Sequence, residues 1–252
     1  MRKLTAIIPT FNEEENIKAA IESISFANEI LIVDSFSTDN TINIAKNISD
    51  KILQREYKNS ASQKNWAIPQ AKNNWILILD ADERITKELK QEIINTLTHD
   101  STHDAFWIKR DNYFLGKKIR FSGWQGDKVI RLFKKDLCRY EEKHVHAEIK
   151  TTGKVGSLDH KIIHNTARKK DAYIKKLERY ARWQAKDYAE TTENISKYHL
   201  IIKPCIRFIK HYIIQGGFLD GYHGLLISYY QSKAVKMRYK YLIKQRHDQG
   251  NK

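Results

Sequence analysis

Three short aliphatic runs, each followed by polar residues and then by a helical pattern, constrain the fold of this chain most strongly. The runs occupy residues 4–8, 29–33 and 75–79. Runs of this length predict strands that are buried on both faces. Because the segments between them have helical periodicity, the pattern predicts βαβ units with right-handed crossovers. We therefore expect an α/β fold with a mostly parallel sheet flanked by helices.

Polar side chains follow all three runs at the point where each predicted strand ends. They are residues 10–13 after the first run, Asp34 after the second, and Asp80 and Asp82 after the third. Ligands of open parallel sheets bind outside the carboxyl ends of the strands. We therefore expect these three clusters to meet at one edge of the sheet and to form a site there.

The acids after the third run predict a cation site. In an extended chain Asp80 and Asp82 point to the same side, about 7 Å apart at roughly 3.3 Å per residue. Both carboxylates would then face one divalent cation, Mg²⁺ or Mn²⁺, and its polyanionic ligand. The alternative is an acidic start to a predicted helix at 86–97, because carboxylates stabilise helix N-termini.

The phosphate-binding loops of other α/β folds are missing after the first strand. The sequence there contains neither a glycine-rich dinucleotide loop nor a P-loop lysine, so folds that depend on these loops lose support. A diphosphate would instead be held by the cation at Asp80 and Asp82, with Lys64 as a candidate basic contact.

From residue 104 onward the pattern changes to β-type segments, at 105–110 and 128–133, which predict antiparallel additions to the sheet. His144 and His146 alternate onto one face of a later segment. They are either metal ligands or hydrogen-bonded sheet histidines. His164 follows two isoleucines at a predicted strand end, so it repeats the pattern of a strand leading to the site and is the stronger candidate.

The positive charge is concentrated in the last third of the chain. Residues 168–252 contain 19 Lys and Arg against 7 Asp and Glu, a net charge of +12 out of +15, together with 13 of the 27 aromatic residues. We expect a catalytic domain at 1–167 and a helical extension at 168–252, with helices near 170–192, 198–214 and 224–245. Basic aromatic helices suit an anionic membrane surface better than nucleic acid. The alternative is a helical subdomain with a solvated basic face.

The first residues run directly into a strand and show no apolar signal segment. The two cysteines, Cys138 and Cys205, are far apart and have no metal-binding spacing, which fits a reducing compartment. We expect a cytoplasmic protein, peripheral on the inner face of the cytoplasmic membrane.

The strand ends resemble those of the family 2 glycosyltransferases with a GT-A fold. Three motifs over about the first 100 residues carry the resemblance: Ile7-Ile8-Pro9-Thr10-Phe11-Asn12-Glu13-Glu14, Val33-Asp34-Ser35-Phe36-Ser37-Thr38-Asp39-Asn40-Thr41 and Leu79-Asp80-Ala81-Asp82-Glu83. Beyond them the chain looks like the branch that includes lipopolysaccharide core β-glucosyltransferases. That weaker likeness lies in Phe121-Ser122-Gly123-Trp124, Arg131-Leu132-Phe133, Val145-His146 and Gly217-Phe218-Leu219-Asp220-Gly221.

The resemblance implies transfer of a sugar, with inversion, from a nucleotide-diphosphate sugar to a glycolipid or polysaccharide acceptor at the membrane face. It implies that the nucleotide pocket is lined by four residues of the first motif: Pro9, Thr10, Phe11 and Glu13. Asp34 would bond the base or ribose, and Lys64 would lie near the diphosphate. Asp80 would contact the ribose or the metal, Asp82 would be the principal metal ligand, and His164 would complete the metal coordination.

Inversion by direct displacement requires one general base that takes the proton of the acceptor hydroxyl. Members of this branch commonly have Val-His-Glu where this chain has Val145-His146-Ala147, with Glu148 one place later. A one-residue shift on a strand reverses the direction of a side chain. Glu148 is therefore the first candidate for the base if its segment is a loop, and Asp127 is the second.

Two other functions are weighed against this one. A sugar nucleotidyltransferase also uses metal-binding acids on an α/β sheet, but it releases pyrophosphate rather than nucleoside diphosphate. A non-catalytic basic module that binds membrane or nucleic acid would leave the acidic strand ends without a role.

Overall fold

The protein is described by a computed structural model that covers residues 2–99, 101–141, 148–189 and 191–250. The chain forms two compact units. The first consists of residues 1–111 and 127–164, and the second of residues 112–126 and 165–252. The predicted domains at 1–167 and 168–252 differ from these units chiefly in the segment 112–126, which belongs with the second unit.

Strands and helices alternate through the first hundred residues of the first unit, as the aliphatic runs predict. The first four helices are α1 (Ile17–Ser23), α2 (Thr41–Lys46), α3 (Ser60–Ala67) and α4 (Lys87–Thr98). The strands are β1 (Leu4–Thr10), β2 (Glu29–Asp34), β3 (Lys51–Gln54), β4 (Trp75–Ile78), β5 (Glu83–Ile85), β6 (Ala105–Phe114), β7 (Lys117–Lys118), β8 (Lys128–Lys134), β9 (Cys138–Tyr140), β10 (Ile149–Thr151), β11 (Val155–Ser157) and β12 (Ile162–Ala167).

The main sheet has the strand order β3-β2-β1-β4-β8-β6-β12-β5. Its first four strands are parallel, because helical crossovers connect them. β8 then pairs antiparallel with both β4 and β6, which confirms the antiparallel additions predicted after residue 104. The sheet is therefore parallel in one half and mixed in the other.

The parallel strands are buried on both faces, and they form the core of the first unit. All six residues of β2 and all four of β4 are buried, as expected for strands covered by helices on either side. Helix α4 begins at the cap residue Thr86, whose hydroxyl accepts a hydrogen bond from Leu89 N at 3.1 Å. It buries Leu89, Ile93 and Leu97 along one stripe, the spacing of an amphipathic helix.

The second unit is mainly helical. It contains α5 (Lys170–Ala189), a helical segment at 198–214 and α7 (Tyr222–Gly250). The 198–214 segment consists of α6 (Lys203–Ile209) between two π-helical turns, Tyr198–Ile202 and Lys210–Ile214. In the core of the second unit, Phe114 packs against Tyr173 with ring centroids 4.8 Å apart. These helices confirm the three predicted from the sequence, although α7 is longer at both ends.

A buried carboxylate organises the loops of the second unit. Asp220 is 3% exposed, and its oxygens accept hydrogen bonds from Arg120 N, Phe121 N and Ser122 Oγ, each at 3.0 Å. Beside it, a Cβ at Gly224 would lie 1.8 Å from Gly217 O, so only glycine fits there. Within the described residues, no helix is both long enough and apolar enough to cross a membrane.

Candidate active site

The carboxyl ends of β1 and β2 meet as the sequence predicts. Thr10 lies beside Asp34 in the parallel register, so the first two polar clusters share one edge of the sheet. The loops beyond them are tied together, because Asn12 N donates to Ser37 Oγ at 2.9 Å and Asn12 Oδ1 accepts from Thr38 N at 2.8 Å. Asn12 has a φ of 54°, a left-handed conformation that asparagine tolerates better than most residues.

Asp34 is fully buried and holds the loop after β2 in place. Its Oδ2 accepts hydrogen bonds from Ser37 N at 3.0 Å and from Gln54 Nε2 at 3.1 Å. Ser37 Oγ donates to the other carboxylate oxygen. Both oxygens therefore already have protein donors, and the predicted bond from Asp34 to a base or ribose stays a prediction.

Aromatic, polar and proline side chains of the first two motifs surround these strand ends. Phe11 and Phe36 follow β1 and β2 and are 49% and 50% exposed, large fractions for phenylalanine. Glu13 lies at the entry to α1, where its Oε2 accepts from Asn16 Nδ2 at 2.7 Å. Pro9 occupies the next-to-last position of β1. The edge thus presents aromatic surface beside a hydrogen-bonded turn.

Several buried polar atoms around this edge have no hydrogen-bond partner among the described residues. They are Thr10 Oγ1, Gln63 Oε1, Tyr140 OH and Arg131 Nε. Buried polar groups are almost always hydrogen-bonded in native proteins. Unpartnered groups close to a strand-end site therefore fit a polar ligand that supplies the missing bonds.

Asp80 lies between two cations. Lys64 Nζ is 2.9 Å from Asp80 Oδ1, and Arg131 is in direct contact with Asp80 Oδ2. Burial by itself raises the pKa of Asp80, but Arg131 and Lys64 together lower it well below its usual range. Asp80 is therefore a carboxylate at every physiological pH. The contact between Lys64 and the predicted acidic cluster places a basic group where a diphosphate would require one.

Arg131 links Asp80 to a second buried acid, Glu83. Its guanidinium is 2.7 Å from Glu83 Oε1, and the Glu83 side chain has no solvent exposure. Burial lowers the pKa of Arg131, yet Asp80 and Glu83 raise it well above its usual range, so the arginine stays charged. Asp80 N also donates to Glu83 Oε2 at 3.0 Å. Glu83 therefore holds in place both the backbone of Asp80 and the guanidinium of Arg131.

The same network continues to Asp127, the second candidate base. Arg110 is 3.2 Å from Glu83 Oε1 and binds Asp127 with two bonds, Nε to Oδ2 at 2.9 Å and a terminal nitrogen to Oδ1 at 2.7 Å. This bidentate contact uses both carboxylate oxygens of Asp127. Asp127 therefore fits the role of an anchor for Arg110 better than that of a base.

No role was predicted from the sequence for Arg110, Arg131 or Glu83, although Glu83 and Arg131 lie within the motifs quoted above. A signal was present for Arg131, because it is the one charged residue in the middle of the strand Lys128–Lys134. An arginine in a buried strand requires an acidic partner. The identity of that partner depends on strand order, which brings β8 next to β4.

The strand that precedes Asp80 and Asp82 ends earlier than the sequence predicts. β4 ends at Ile78, and Glu83 N donates to Asp80 O at 2.8 Å, closing a turn through Ala81 and Asp82. The expected extended geometry of Asp80 and Asp82 is therefore wrong. A tight turn is favoured because it lets Glu83 enter the buried strand β5.

Asp82 instead faces His164. Asp82 Oδ2 is 3.4 Å from His164 Nε2, because β12 pairs antiparallel with β5 and sets His164 opposite Glu83. A carboxylate and an imidazole are both ligands for Mn²⁺, and Mg²⁺ commonly takes one or two carboxylates plus substrate phosphates. The described residues contain no group of three or more His, Cys, Asp or Glu placed to hold a metal. Asp82 and His164 are the two side chains here that would hold a cation, and its other ligands would have to come from a bound diphosphate.

Glu148, the first candidate base, is exposed and directly precedes β10. Its carbonyl accepts a hydrogen bond from Glu141 N at 3.0 Å. His144 and His146, the alternative metal ligands, lie outside the described residues.

Sequence comparison relates the chain to known transferases. A family model described as Glycosyl transferase family 2 matches residues 5–174, more than half of the chain. The lipopolysaccharide core biosynthesis glycosyltransferase LpsC of Rhizobium meliloti is 28% identical, with 93% of this chain and 94% of LpsC covered. The uncharacterized glycosyltransferase RT0209 of Rickettsia typhi is 27% identical over 90% of this chain and 82% of that protein.

A solved structure shares the fold. The mannosyltransferase PcManGT from Pyrobaculum calidifontis, in complex with GDP-Man and Mn²⁺, superposes with a TM-score of 0.57. The match covers 96% of this chain and 87% of PcManGT at 14% identity. The predicted GT-A fold, with its C-terminal helical extension, is confirmed.

Proposed function

The chain belongs to glycosyl transferase family 2, and from that premise we propose that it transfers a sugar from a nucleotide-diphosphate sugar, with inversion, to a glycolipid or polysaccharide acceptor. Family membership makes the protein an enzyme. It therefore removes the two alternatives raised from the sequence, a sugar nucleotidyltransferase and a non-catalytic binding module.

One observation carries this proposal: the arrangement of charged groups at the carboxyl edge of the parallel strands. Asp82 faces His164 at 3.4 Å, and Lys64 and Arg131 flank Asp80. Asp82 and His164 would hold Mg²⁺ or Mn²⁺, which supplies charge stabilisation for a departing nucleoside diphosphate when bound. PcManGT, whose fold this chain shares, was solved with GDP-Man and Mn²⁺, which supports a nucleotide-sugar donor and a divalent cation here.

Direct displacement assigns separate tasks to the side chains. The acceptor hydroxyl oxygen forms a bond to the anomeric carbon while the bond from that carbon to the diphosphate oxygen breaks. The hydroxyl proton passes to the base, for which Glu148 is our candidate, and nucleoside diphosphate leaves with the bonding electrons. Lys64, which contacts Asp80, would offset part of the negative charge that accumulates on the leaving group, whereas Arg131 is already paired with Asp80 and Glu83.

The donor proposal predicts selective stabilisation by one class of nucleotide sugar. Only a ligand that binds the folded chain raises its stability, by about 2.7 kcal/mol at a hundredfold excess over Kd. For a protein of this size that corresponds to a rise in Tm of about 5–10 °C. Thermal melts with Mn²⁺ and each nucleotide sugar measure it, and no shift with any donor would argue against a donor site.

The half-exposed ring of Phe11 is expected to contact the nucleobase, and steady-state transfer kinetics at varied donor concentration test this contact. Base–aromatic stacking contributes about 1–3 kcal/mol, so Phe11→Ala should raise the donor KM about tenfold while kcat changes less. Leu137→Ala is the matched control, because Leu137 is also an exposed apolar residue of the first unit.

Substitution of the two candidate bases, Glu148 and Asp127, should have different effects. If Glu148 takes the acceptor proton, Glu148→Gln should lower kcat at least about 100-fold with little change in donor KM. Asp127→Asn should mainly weaken the contact between residue 127 and Arg110, and this weakening should lower the Tm. Steady-state kinetics and melts of both variants separate the roles. Full turnover in both would remove both candidates, and a kcat loss confined to Asp127→Asn would reverse the assignment.

The acceptor class and the location are proposed together. LpsC, 28% identical across nearly its whole length, is named for lipopolysaccharide core biosynthesis, which supports a related glycolipid acceptor. The +12 charge of residues 168–252 supports a position on the inner face of the cytoplasmic membrane, where anionic lipids attract basic segments.

A further inference from the structure

The second unit exposes an unusual amount of apolar side chain. Among the described residues, twelve of the eighteen exposed large hydrophobic residues lie within 32 consecutive positions: Tyr198, Ile201, Ile202, Ile206, Ile209, Ile213, Ile214, Phe218, Leu219, Tyr222, Leu225 and Tyr229. We call them the exposed apolar face. Single exposed apolar residues are common, but a dense cluster marks a binding surface.

Helical spacing places seven of these residues on two rows. In the 198–214 segment Ile202, Ile206, Ile209 and Ile213 follow one another at steps of four, three and four residues. In α7 Tyr222, Leu225 and Tyr229 do the same at steps of three and four. Residues at these steps share one side of a helix, so each helix presents an apolar row to solvent.

Three lysines extend the row on α7. Lys233, Lys236 and Lys240 follow Tyr229 at steps of four, three and four residues, and all three are exposed. They line a groove of about 420 Å³ between the 198–214 segment and α7, together with apolar residues that include Ile201 and Met237. No acidic side chain lines the groove. Among the described residues, none of the three lysines forms an ion pair.

We propose that the exposed apolar face and the row Lys233, Lys236 and Lys240 form a docking surface for an anionic phospholipid bilayer. The apolar side chains enter the boundary between headgroups and acyl chains, and the lysines contact lipid phosphates along the groove. The inference rests on the proposed membrane location and deepens it by naming the surface and the lipid charge it requires.

Charge decides between a bilayer and other occupants. A second copy of this chain would bring an identical lysine row to the interface, because a twofold contact pairs the same patch on both subunits. Like charges brought together there would oppose association. Nucleic acid would match the lysines but would not cover the isoleucines. A bilayer rich in anionic lipid satisfies both parts of the surface.

Vesicle flotation with the full chain tests the proposal without substrate. We expect strong flotation with vesicles of equal parts phosphatidylcholine and phosphatidylglycerol, and weak flotation with phosphatidylcholine alone. Each lysine close to an anionic surface adds about fivefold to the partition constant. Lys236→Ala combined with Lys240→Ala should therefore weaken binding to the anionic vesicles about 25-fold.

The matched control removes the same charge elsewhere in the second unit. Lys175 and Lys186 are exposed on α5, and the double variant Lys175→Ala/Lys186→Ala should bind almost as the wild type does. An equal loss in both double variants would show that only net charge matters, which would overturn the proposed surface.

A second double variant tests the exposed apolar face. Ile206→Gln combined with Ile213→Gln should reduce flotation about tenfold or more, because half-exposed isoleucines lose apolar area that lipid would cover. Both positions are exposed, so folding should be unaffected, and circular dichroism checks it. Binding unchanged by this variant would overturn the insertion of the apolar face. A concentration-dependent dimer that this variant abolishes, without flotation of the wild type, would assign the face to self-association instead.

Transfer activity is measured separately, with detergent-dispersed acceptor. Flotation with no transfer would count against the proposed catalytic function and leave the docking surface standing. Transfer without flotation would reject the docking surface alone.

Discussion

Asp82→Ala is expected to lower kcat/KM for sugar transfer about 1,000-fold, the size of effect seen when a principal electrostatic stabiliser of a transition state is removed. Asp82 is the acid that faces His164, with Oδ2 and Nε2 3.4 Å apart, so its loss would leave the proposed cation with one protein ligand. Activity titrated with Mn²⁺, together with Mn²⁺ binding measured calorimetrically in the presence of nucleoside diphosphate, tests the role.

The expected result has two parts that a purely structural role of Asp82 would not produce. The wild type should lose activity on treatment with a chelator and regain it with Mn²⁺, and Asp82→Ala should require a much higher Mn²⁺ concentration. Asp171→Ala is the control, because Asp171 lies at the start of α5 and outside the proposed site. Wild-type activity in Asp82→Ala would end the metal assignment.

Glu83→Gln is expected to destabilise the protein by about 3 kcal/mol, because removing one partner of a buried ion pair leaves the other charge uncompensated. Glu83 has no exposed side-chain surface, and it accepts from Arg131 at 2.7 Å and from Arg110 at 3.2 Å. At about 2–4 °C per kcal/mol, this loss corresponds to a fall in Tm of about 6–12 °C.

An exposed glutamate provides the comparison. Glu22 pairs with Lys18 at 3.9 Å, and its side chain is 60% exposed, so Glu22→Gln should change stability by less than about 0.5 kcal/mol. Thermal unfolding followed by circular dichroism compares the two variants. A Tm for Glu83→Gln within a degree or so of the control would show that the buried network does not stabilise the fold.

Local pattern was enough to predict the parallel strands and the long helices of this protein. Aliphatic runs gave the parallel strands, and helical periodicity gave α4, α5 and α7, because burial on both strand faces or on one helix stripe imposes a simple repeat on the sequence. The same logic placed residues 10–13, Asp34 and Asp80 at one edge. The family and the fold that the resemblance implied are confirmed by the comparisons.

The partners of the site residues were harder to predict. Arg131 and Asp80 are 51 residues apart in sequence, and Arg110 and Asp127 are 17 apart. Their contacts exist because β8 inserts between β4 and β6, and no local repeat encodes that insertion. The turn after β4 was missed for a related reason, since burial of Glu83 between two arginines, rather than strand propensity, determines where the chain bends.

The sequence by itself determined the α/β fold, the family, the acidic strand end and the basic, aromatic C-terminal third, because each of these is a property of consecutive residues. Only the tertiary structure decided that Arg131 holds Asp80 and that Glu83 joins Arg131 to Arg110. It also decided that twelve apolar residues of the helical unit remain exposed. The physical reason is the same in both cases: which side chains are paired, and which stay in solvent, depends on what strand order and helix packing bring next to them.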